Sequence, residues 1–267
     1  MTQKIITLLS DFGISDSYVS EMKAVILSIN PKVTLVDITH QVPKYNVKIG
    51  SYLLAKAARH FPEGVIHLAI VDPTVGGLRN PIIVETEYAT FIGPDNGLLI
   101  LAAEKYGLKR VYRIENKKYM NCDISSTFHG RDIFSSVAAY VSLGVKISDF
   151  GRALVNFTKI PFASPKRVSR TIEGEIIYLD GFGNIVTNIK SEHLMNLLPS
   201  NSQFEVYLEN TYQLKLKLSE AYCEVAEGDF LAVIGSENFI EISSNKTSAA
   251  EKLSAKVGMK VKFMFKA

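Results

Sequence analysis

Apolar residues in the first 150 positions come in short runs separated by stretches of helical period. Residues 4–9 form a nearly continuous apolar run and read as a buried strand; residues 17–29 put Val19, Met22, Val25, Ile26 and Ile29 on one helical face. Residues 33–38 are the next strand. Residues 47–60, with Ile49, Leu53, Ala57 and His60 at helical spacing, are the next helix, and residues 65–71 the third strand. This β-α-β-α-β order predicts a parallel core sheet with right-handed crossovers. Residues 82–85 and 90–92 read as a short extra hairpin, 98–106 as a helix, 110–114 as a strand, and 132–143 as a helix beginning just after His129.

The pattern then changes. Residues 160–170, IPFASPKRVSR, carry two prolines and no periodicity, as a linker would. Beyond them come short strands at 173–179, 184–189, 204–208, 213–218, 230–234, 239–243 and 261–265, a spacing that suggests a small antiparallel barrel or sandwich. The expected organisation is a larger α/β domain over residues 1–160 with a mainly parallel sheet, and a smaller antiparallel β-barrel domain over residues 171–267.

Composition narrows the partners. Of the 267 residues 47% are hydrophobic, enough to build real cores, so disorder is excluded. The 30 basic and 27 acidic residues are scattered, and no basic run is long enough to suggest a nucleic-acid stripe or a membrane patch. Cys122 and Cys223 fit neither a disulfide framework nor a zinc site; they read as small buried hydrophobes of a protein in a reducing compartment. The apolar run at residues 5–9 is closed at once by Ser10 and Asp11, too short for a signal peptide, and no segment approaches the roughly 20 apolar residues of a spanning helix. A soluble, cytoplasmic protein is expected.

The chemistry-bearing residues cluster where predicted strands end. Residues 70–79, IVDPTVGGLR, take an apolar strand into Asp72, a Pro/Gly turn and Arg79; residues 127–132, TFHGRD, lie about one βα unit downstream. Open α/β sheets bind ligands at the carboxyl ends of their strands. An arginine orients a carboxylate bidentately, and a nearby histidine can relay a proton near neutral pH. Each of Asp72, Arg79 and His129 alone reads as structural; as a set in strand-end loops they suggest the activation of water.

The other candidates each have a plain structural counterpart. Asp11, in SDFG at the end of the first strand, could take both hydroxyls of a ribose or serve as a turn residue; Asp16 reads as the cap of the next helix. Asp37 and His40 could be metal ligands or members of a polar turn, and no second pair has ligand spacing. Tyr45 could stack on a ring or simply pack. In residues 180–184, DGFGN, a hairpin with positive-φ glycines accounts for Gly181 and Gly183; the functional reading adds Phe182 as a stacking face and Asn184 as an amide that reads a purine edge. Ser236 lies in another turn, GSEN, and could hold a small polar group. Glu241, inside FIEI, falls on the solvent face by period-two alternation; an amine-binding role is the alternative. His60, His67 and His193 read as ordinary packing residues. Neither a Gly-x-Gly-x-x-Gly nor a Walker-type phosphate loop occurs in the sequence.

The ordered set SDFG-x-x-D, H-x-x-P-x-Y, VDP-x-VGG-x-R, FHGRD and DGFGN resembles the S-adenosyl-L-methionine hydrolase (adenosine-forming) family, also called SAM hydroxide adenosyltransferases, relatives of the fluorinase and chlorinase enzymes. The resemblance implies an α/β amino-terminal domain, a carboxyl-terminal β-barrel and a homotrimer with active sites between subunits. It implies hydrolysis of S-adenosyl-L-methionine to adenosine and L-methionine, with no metal and no cofactor. By matching positions, Asp72, Arg79 and His129 are the water-activating trio, Asp11 binds the ribose diol, and Tyr45 stands near the ribose. Phe182 and Asn184 flank adenine, and Asp180 and Ser236 hold the methionine moiety; Phe128 and Glu241 complete the substrate-binding candidates. The halogenating relatives carry an aromatic at the position of Asp72, and the fluorinase carries a hydroxyl-bearing residue at that of Gly130, which argues for water as nucleophile here. Glu237 stands where the fluorinase has an arginine for the substrate carboxylate, so that contact is made differently. The competing readings are a metal-dependent phosphoesterase built on Asp11, Asp37, His40, Asp72 and His129, and a non-catalytic adenosine-binding protein.

Overall fold

The run read as a buried strand is flanked on both edges. Strand β1 (Ile5–Ser10) is inaccessible from Ile6 onward, lying between the parallel strands β2 (Thr34–Thr39) and β3 (Val65–Ile70). A strand covered on both edges and both faces has no position for a polar-alternating residue, which is why all six residues of β3 are buried. The computed structural model describes residues 4–194, 203–209 and 211–265; they fall in two compact units, Met1–Ile160 and Pro161–Ala267.

In the first unit the crossovers are helix α1 (Tyr18–Ile29), which buries Met22 and Ile26, and helix α2 (Val47–Ala58), whose Asn46 cap accepts from Ile49 N–H at 3.0 Å. Asp16 does not cap α1: its N-cap is Ser17, whose hydroxyl turns instead to Glu21. The face of α2 also differs from expectation. Tyr52, Leu54, Ala55 and Ala58 are buried with Ile49, whereas Leu53 and Ala57 are half-buried and His60 lies exposed beyond the helix end.

The expected extra hairpin is integral to the sheet. Strands β4 (Pro81–Thr86) and β5 (Ala89–Pro94) pair antiparallel, with β5 also pairing parallel to β3. After helix α3 (Ile100–Lys105), strand β6 (Leu108–Arg113) pairs with β4. A π-helical turn (Gly130–Ser135) leads into helix α4 (Ser136–Ser142), so the helical run as a whole starts two residues earlier than its pattern suggests and its first six residues are π-helical. The two-residue strand β7 (Ala153–Leu154) closes the order β2-β1-β3-β5-β4-β6-β7.

The second unit contains strands β8 (Lys166–Val168), β9 (Thr171–Leu179) and β10 (Ile185–Lys190), a short helix α5 (Ser191–Leu194), β11 (Gln203–Leu208), β12 (Tyr212–Ser219), β13 (Phe230–Ile234), β14 (Phe239–Ser244), a short helix α6 (Ala249–Lys252) and β15 (Lys260–Phe265). Strand β8 occupies residues read as linker and forms a hairpin with β9. Strand β10 pairs with both β9 and β14, which closes seven strands into a barrel and leaves them no unpaired edge. The barrel is antiparallel except where β12 and β13 run parallel. Phe204 packs against Phe263 and Phe265 at ring separations of 5.6 and 5.3 Å, among Ile176, Ile185, Val206 and Ile240 in its interior. Both cysteines are free and exposed rather than buried.

His67, on β3, behaves as the packing histidine expected. It is fully buried, 2.7 Å from the Thr7 hydroxyl through Nδ1 and stacked on Phe91 at 4.8 Å. Burial pushes its pKa down to about 3. The folded value lies below the unfolded one, so stability is full above about pH 6.5 and is lost as pH falls toward the folded pKa. Chemical unfolding at pH 7 and pH 5 should therefore show the wild type losing about 2 kcal/mol more than His67→Gln across that interval; an equal loss in both proteins assigns the acid sensitivity elsewhere.

Candidate active site

Two loops, the one joining β3 to β4 and the one ahead of the π-helical turn, bring the first group of side chains together. Strand β3 ends at Ile70; the carbonyl of the next residue, Val71, accepts from Asn96 Nδ2 at 2.8 Å, which fixes the departure of the chain. Asp72 follows, and the loop returns at Arg79 just before β4. Arg79 Nε donates to Asp72 Oδ2 at 2.9 Å, and Nη2 donates to the same oxygen. Both side chains are nearly buried, 7% and 5% exposed, and the Arg79 guanidinium lies 5.4 Å over the ring of Phe134. The same Nη2 lies 2.8 Å from His129 Nδ1, at the start of the π-helical turn. Aspartate, guanidinium and imidazole thus form one continuous chain of contacts.

The loop geometry has a local cause. Gly76 adopts φ 76°, and a Cβ there would stand 2.3 Å from the carbonyl oxygen of Ser126. The Asp72–Arg79 loop therefore rests directly on the loop that carries His129, and only glycine permits that approach. The His129 loop is anchored by Asp132, a buried carboxylate that accepts from Asn121 Nδ2 at 3.0 Å, Ser125 N–H at 2.9 Å and Arg131 Nε at 2.7 Å. Burial pushes this carboxyl up, but the hydrogen bonds from Arg131, Ser125 and Asn121 outweigh it and hold the pKa below its ordinary value.

A guanidinium is only a donor, so His129 Nδ1 must accept from it, and the neutral ring carries its hydrogen on Nε2. Burial, then the Arg79 charge, push the His129 pKa below 6.5 against the pull of Asp72 and Asp132.

Asp11 and Tyr45 meet in a second pair of loops. Asp11 is buried, and its Oδ2 accepts from Tyr45 N–H at 2.8 Å while the Tyr45 ring is 71% exposed. Phe128 packs edge-on against Phe12 and Tyr18 at 5.8 and 5.3 Å, with Arg131 over its face at 5.0 Å. Asp37 and His40 do not form part of a metal centre among the described residues, where no group of three or more His, Cys, Asp or Glu is arranged to hold an ion. Asp37 pairs with Lys23 at 2.6 Å, and His40 with Ser10 at 2.7 Å.

In the barrel unit, the segment between β9 and β10 is organised by Asp180. Its Oδ1 accepts from the N–H groups of Phe182 and Asn184, each at 2.9 Å, and its Oδ2 from Asn184 Nδ2 at 2.8 Å. Of the two glycines in this turn only Gly183, at φ 82°, is left-handed. Phe182 is 84% exposed whereas Asn184 is buried. Both line a cavity of about 580 Å³ with Asp180, Tyr222 and residues 244–248. Glu241 is buried rather than solvent-facing, and its Oε2 accepts from the Tyr222 hydroxyl at 3.3 Å. Burial, then the Glu241 carboxylate, and Asp180 after it, push the Tyr222 pKa up to about 12. Ser236 sits in the exposed turn between β13 and β14, outside the cavity lining. Sequence reasoning passed over Tyr222, which has no motif around it, and residues 244–248, SNKTS, a polar run from the last residue of β14 onward that could have marked a lining loop.

The comparisons with known proteins agree with this architecture. The model of the SAM hydroxide adenosyltransferase N-terminal domain matches residues 6–151, and that of the C-terminal domain matches residues 174–262. The chain belongs to the SAM hydroxide adenosyltransferase family. It is similar to the (R)-S-adenosyl-L-methionine hydrolase of Methanocaldococcus jannaschii, 36% identical over 93% of this chain and 91% of the relative. The enzyme of the same name from Salinispora tropica is 32% identical over 95% of each chain, and a fluorinase from an Actinoplanes species is 26% identical over 96% of each. A crystal structure of an uncharacterized conserved protein from Thermotoga maritima superposes with a TM-score of 0.92 at 34% identity, covering 97% of this chain and 99% of that one.

The tautomer and its cause can be checked directly. In nitrogen-15 spectra, His129 should carry its hydrogen on Nε2 and titrate below 6.5; in Arg79→Met the midpoint should rise, because the carboxylate attraction remains while the guanidinium repulsion is gone. An unchanged or lower midpoint would contradict the contact with Arg79.

Proposed function

We propose that the chain hydrolyses S-adenosyl-L-methionine to adenosine and L-methionine, with Asp72, Arg79 and His129 as the catalytic groups. The contact chain that joins these three side chains is the observation that carries the reading, and membership of the family supports it. A water oxygen attacks the ribose C5′ in line with the bond to sulfur. The C5′–S bond breaks, sulfur keeps the electron pair as the neutral thioether of methionine, and one proton of the water is released. The departing group carries no negative charge, so no acid is needed to protonate it.

The contacts support a different role for each of the three groups. Arg79 is a permanent cation and cannot accept a proton. His129 Nδ1 is already engaged by Arg79, and its Nε2 carries hydrogen. Asp72 is the remaining base: it receives the proton, Arg79 fixes the direction of its lone pairs, and His129 holds the guanidinium from the other side. Placing water and substrate in line can lower the barrier by up to roughly 7–11 kcal/mol, and the general base adds about 10²–10⁴-fold. The same carboxylate repels a halide anion, which favours water as nucleophile over the chemistry of the halogenating relatives.

Asp11 takes the ribose diol, with Tyr45 and Phe128 beside the sugar. Asn184 presents its amide to adenine in an orientation set by Asp180, and Phe182 offers its exposed ring as a stacking face. Asp180, Ser236 and Glu241 hold the polar groups of methionine. The exposure of Phe182, Tyr45 and Leu78 supports contacts with a second copy of the chain, and the family resemblance supports a homotrimer. Two exposed free thiols agree with the cytoplasm as location. A phosphoesterase centre is disfavoured because its carboxylates and histidines are committed elsewhere, Asp72 to Arg79 and His40 to Ser10.

Incubation with S-adenosyl-L-methionine in oxygen-18 water should give adenosine heavy at the 5′ oxygen; unlabelled adenosine, or none, overturns the reading. Asp72→Ala should lower turnover by about 10²-fold or more while adenosine affinity by calorimetry stays within a few-fold. Turnover preserved in that variant would remove Asp72 from the role of base.

A further inference from the structure

We infer that His40 is a positioning residue for nucleoside binding: it locks the Ser10–Gly13 turn against the loop after β2 and so sets the place of the Asp11 carboxylate. The inference rests on the reading of Asp11 as the ribose-binding group.

Four contacts join the two loops. His40 Nδ1 and Ser10 Oγ are 2.7 Å apart, and the Ser10 oxygen also accepts from Phe12 N–H at 3.2 Å. Gly13 N–H donates to the His40 carbonyl at 2.7 Å, and Val42 N–H donates to that of Ser10 at 3.3 Å. Tyr45 N–H then donates to Asp11 itself. Tyr45 reaches that position at φ 64°, a left-handed conformation sparsely populated by a bulky residue and held only where surrounding contacts determine it. Asp11 is therefore gripped from the loop that starts at His40 and ends at Tyr45.

The histidine is itself held from outside. Its Nε2 lies 3.1 Å from Asp37 Oδ1, an electrostatic contact rather than a well-aligned hydrogen bond, and Asp37 Oδ2 accepts from Lys23 Nζ on α1 at 2.6 Å. With the Ser10 hydroxyl donating to Nδ1, the neutral ring turns Nε2–H toward the carboxylate. The order Ser10, His40, Asp37 has the composition of a nucleophilic triad, but Ser10 is completely buried and cannot reach a substrate. The arrangement can orient and cannot attack. It also explains why SDFG and H-x-x-P-x-Y occur in one chain: the first supplies the carboxylate and the second its clamp.

The test compares Asp11→Ala, His40→Ala, His40→Asn and Ser10→Ala in the full-length protein, by calorimetry with adenosine and by steady-state kinetics with S-adenosyl-L-methionine. His40→Ala and Ser10→Ala should each raise the adenosine dissociation constant and KM by about tenfold, the scale of one lost buried hydrogen bond. Their kcat should fall less than about threefold, because Asp72, Arg79 and His129 are untouched. His40→Asn, which keeps an acceptor near the Nδ1 position, should recover most of the affinity. Ser10→Ala adds no bulk to the core and keeps the test available where His40→Ala does not fold. Affinity and KM within twofold of wild type in Ser10→Ala, or a fall in thermal stability with no change in affinity, overturns the inference while Asp11→Ala still weakens binding. Unchanged affinity in Asp11→Ala overturns the ribose reading and this inference together.

Discussion

One guanidinium shared between a carboxylate and an imidazole organises the amino-terminal unit. A buried ion pair is stabilising only when its geometry is good and its remaining hydrogen-bonding capacity is met. Arg79 meets that condition by spending its donors on Asp72 and His129 and laying its plane over Phe134. The consequence reaches the backbone. For the arginine to turn back on an aspartate seven residues earlier, the loop must fold tightly, and Gly76 lets it do so against the Ser126 carbonyl. The loop it rests on is held in turn by Asp132. The charge arrangement and the loop conformations therefore depend on each other.

The strands were legible because burial on both faces writes them as apolar runs, as in β1 and β3. The errors have identifiable causes. The buried face of α2 includes Gly50, Ser51 and Ala55, small residues that carry little hydrophobic signal, so the larger Leu53 drew the assignment one residue away. Strand β8 has no buried side, with all three residues exposed, and its lysine and arginine read as linker. Alternation favours solvent for Glu241, against the amine-binding alternative, because it assumes one wet face. The phenol of Tyr222 covers that position instead, and a contact nineteen residues distant leaves no local trace.

For the site, the sequence could name groups but not their partners. Asp72, Arg79 and His129 could be set together because all three fall in loops at predicted strand ends beside Gly-rich turns, and the contacts among them appear only in three dimensions. Asp37 and His40 looked like ligands because metal sites and hydrogen-bonded relays draw on the same residue types. Their geometry separates the cases: His40 points one nitrogen at a buried hydroxyl and the other toward a carboxylate already paired with Lys23. A metal ligand keeps one nitrogen for the ion.

The chemistry of the substrate explains why so few catalytic groups suffice. A sulfonium leaves as a neutral thioether, so the difficulty lies in presenting water in line and removing its proton. An isolated carboxylate beside a sulfonium cation would bind the ground state strongly, and tight binding of the reactant does not accelerate the step. In the proposed reaction the Arg79 guanidinium offsets much of the Asp72 charge while leaving the carboxylate able to accept a proton. Under that proposal the guanidinium has a second effect beyond orientation: an anion can serve as base next to a cationic substrate without holding that substrate back.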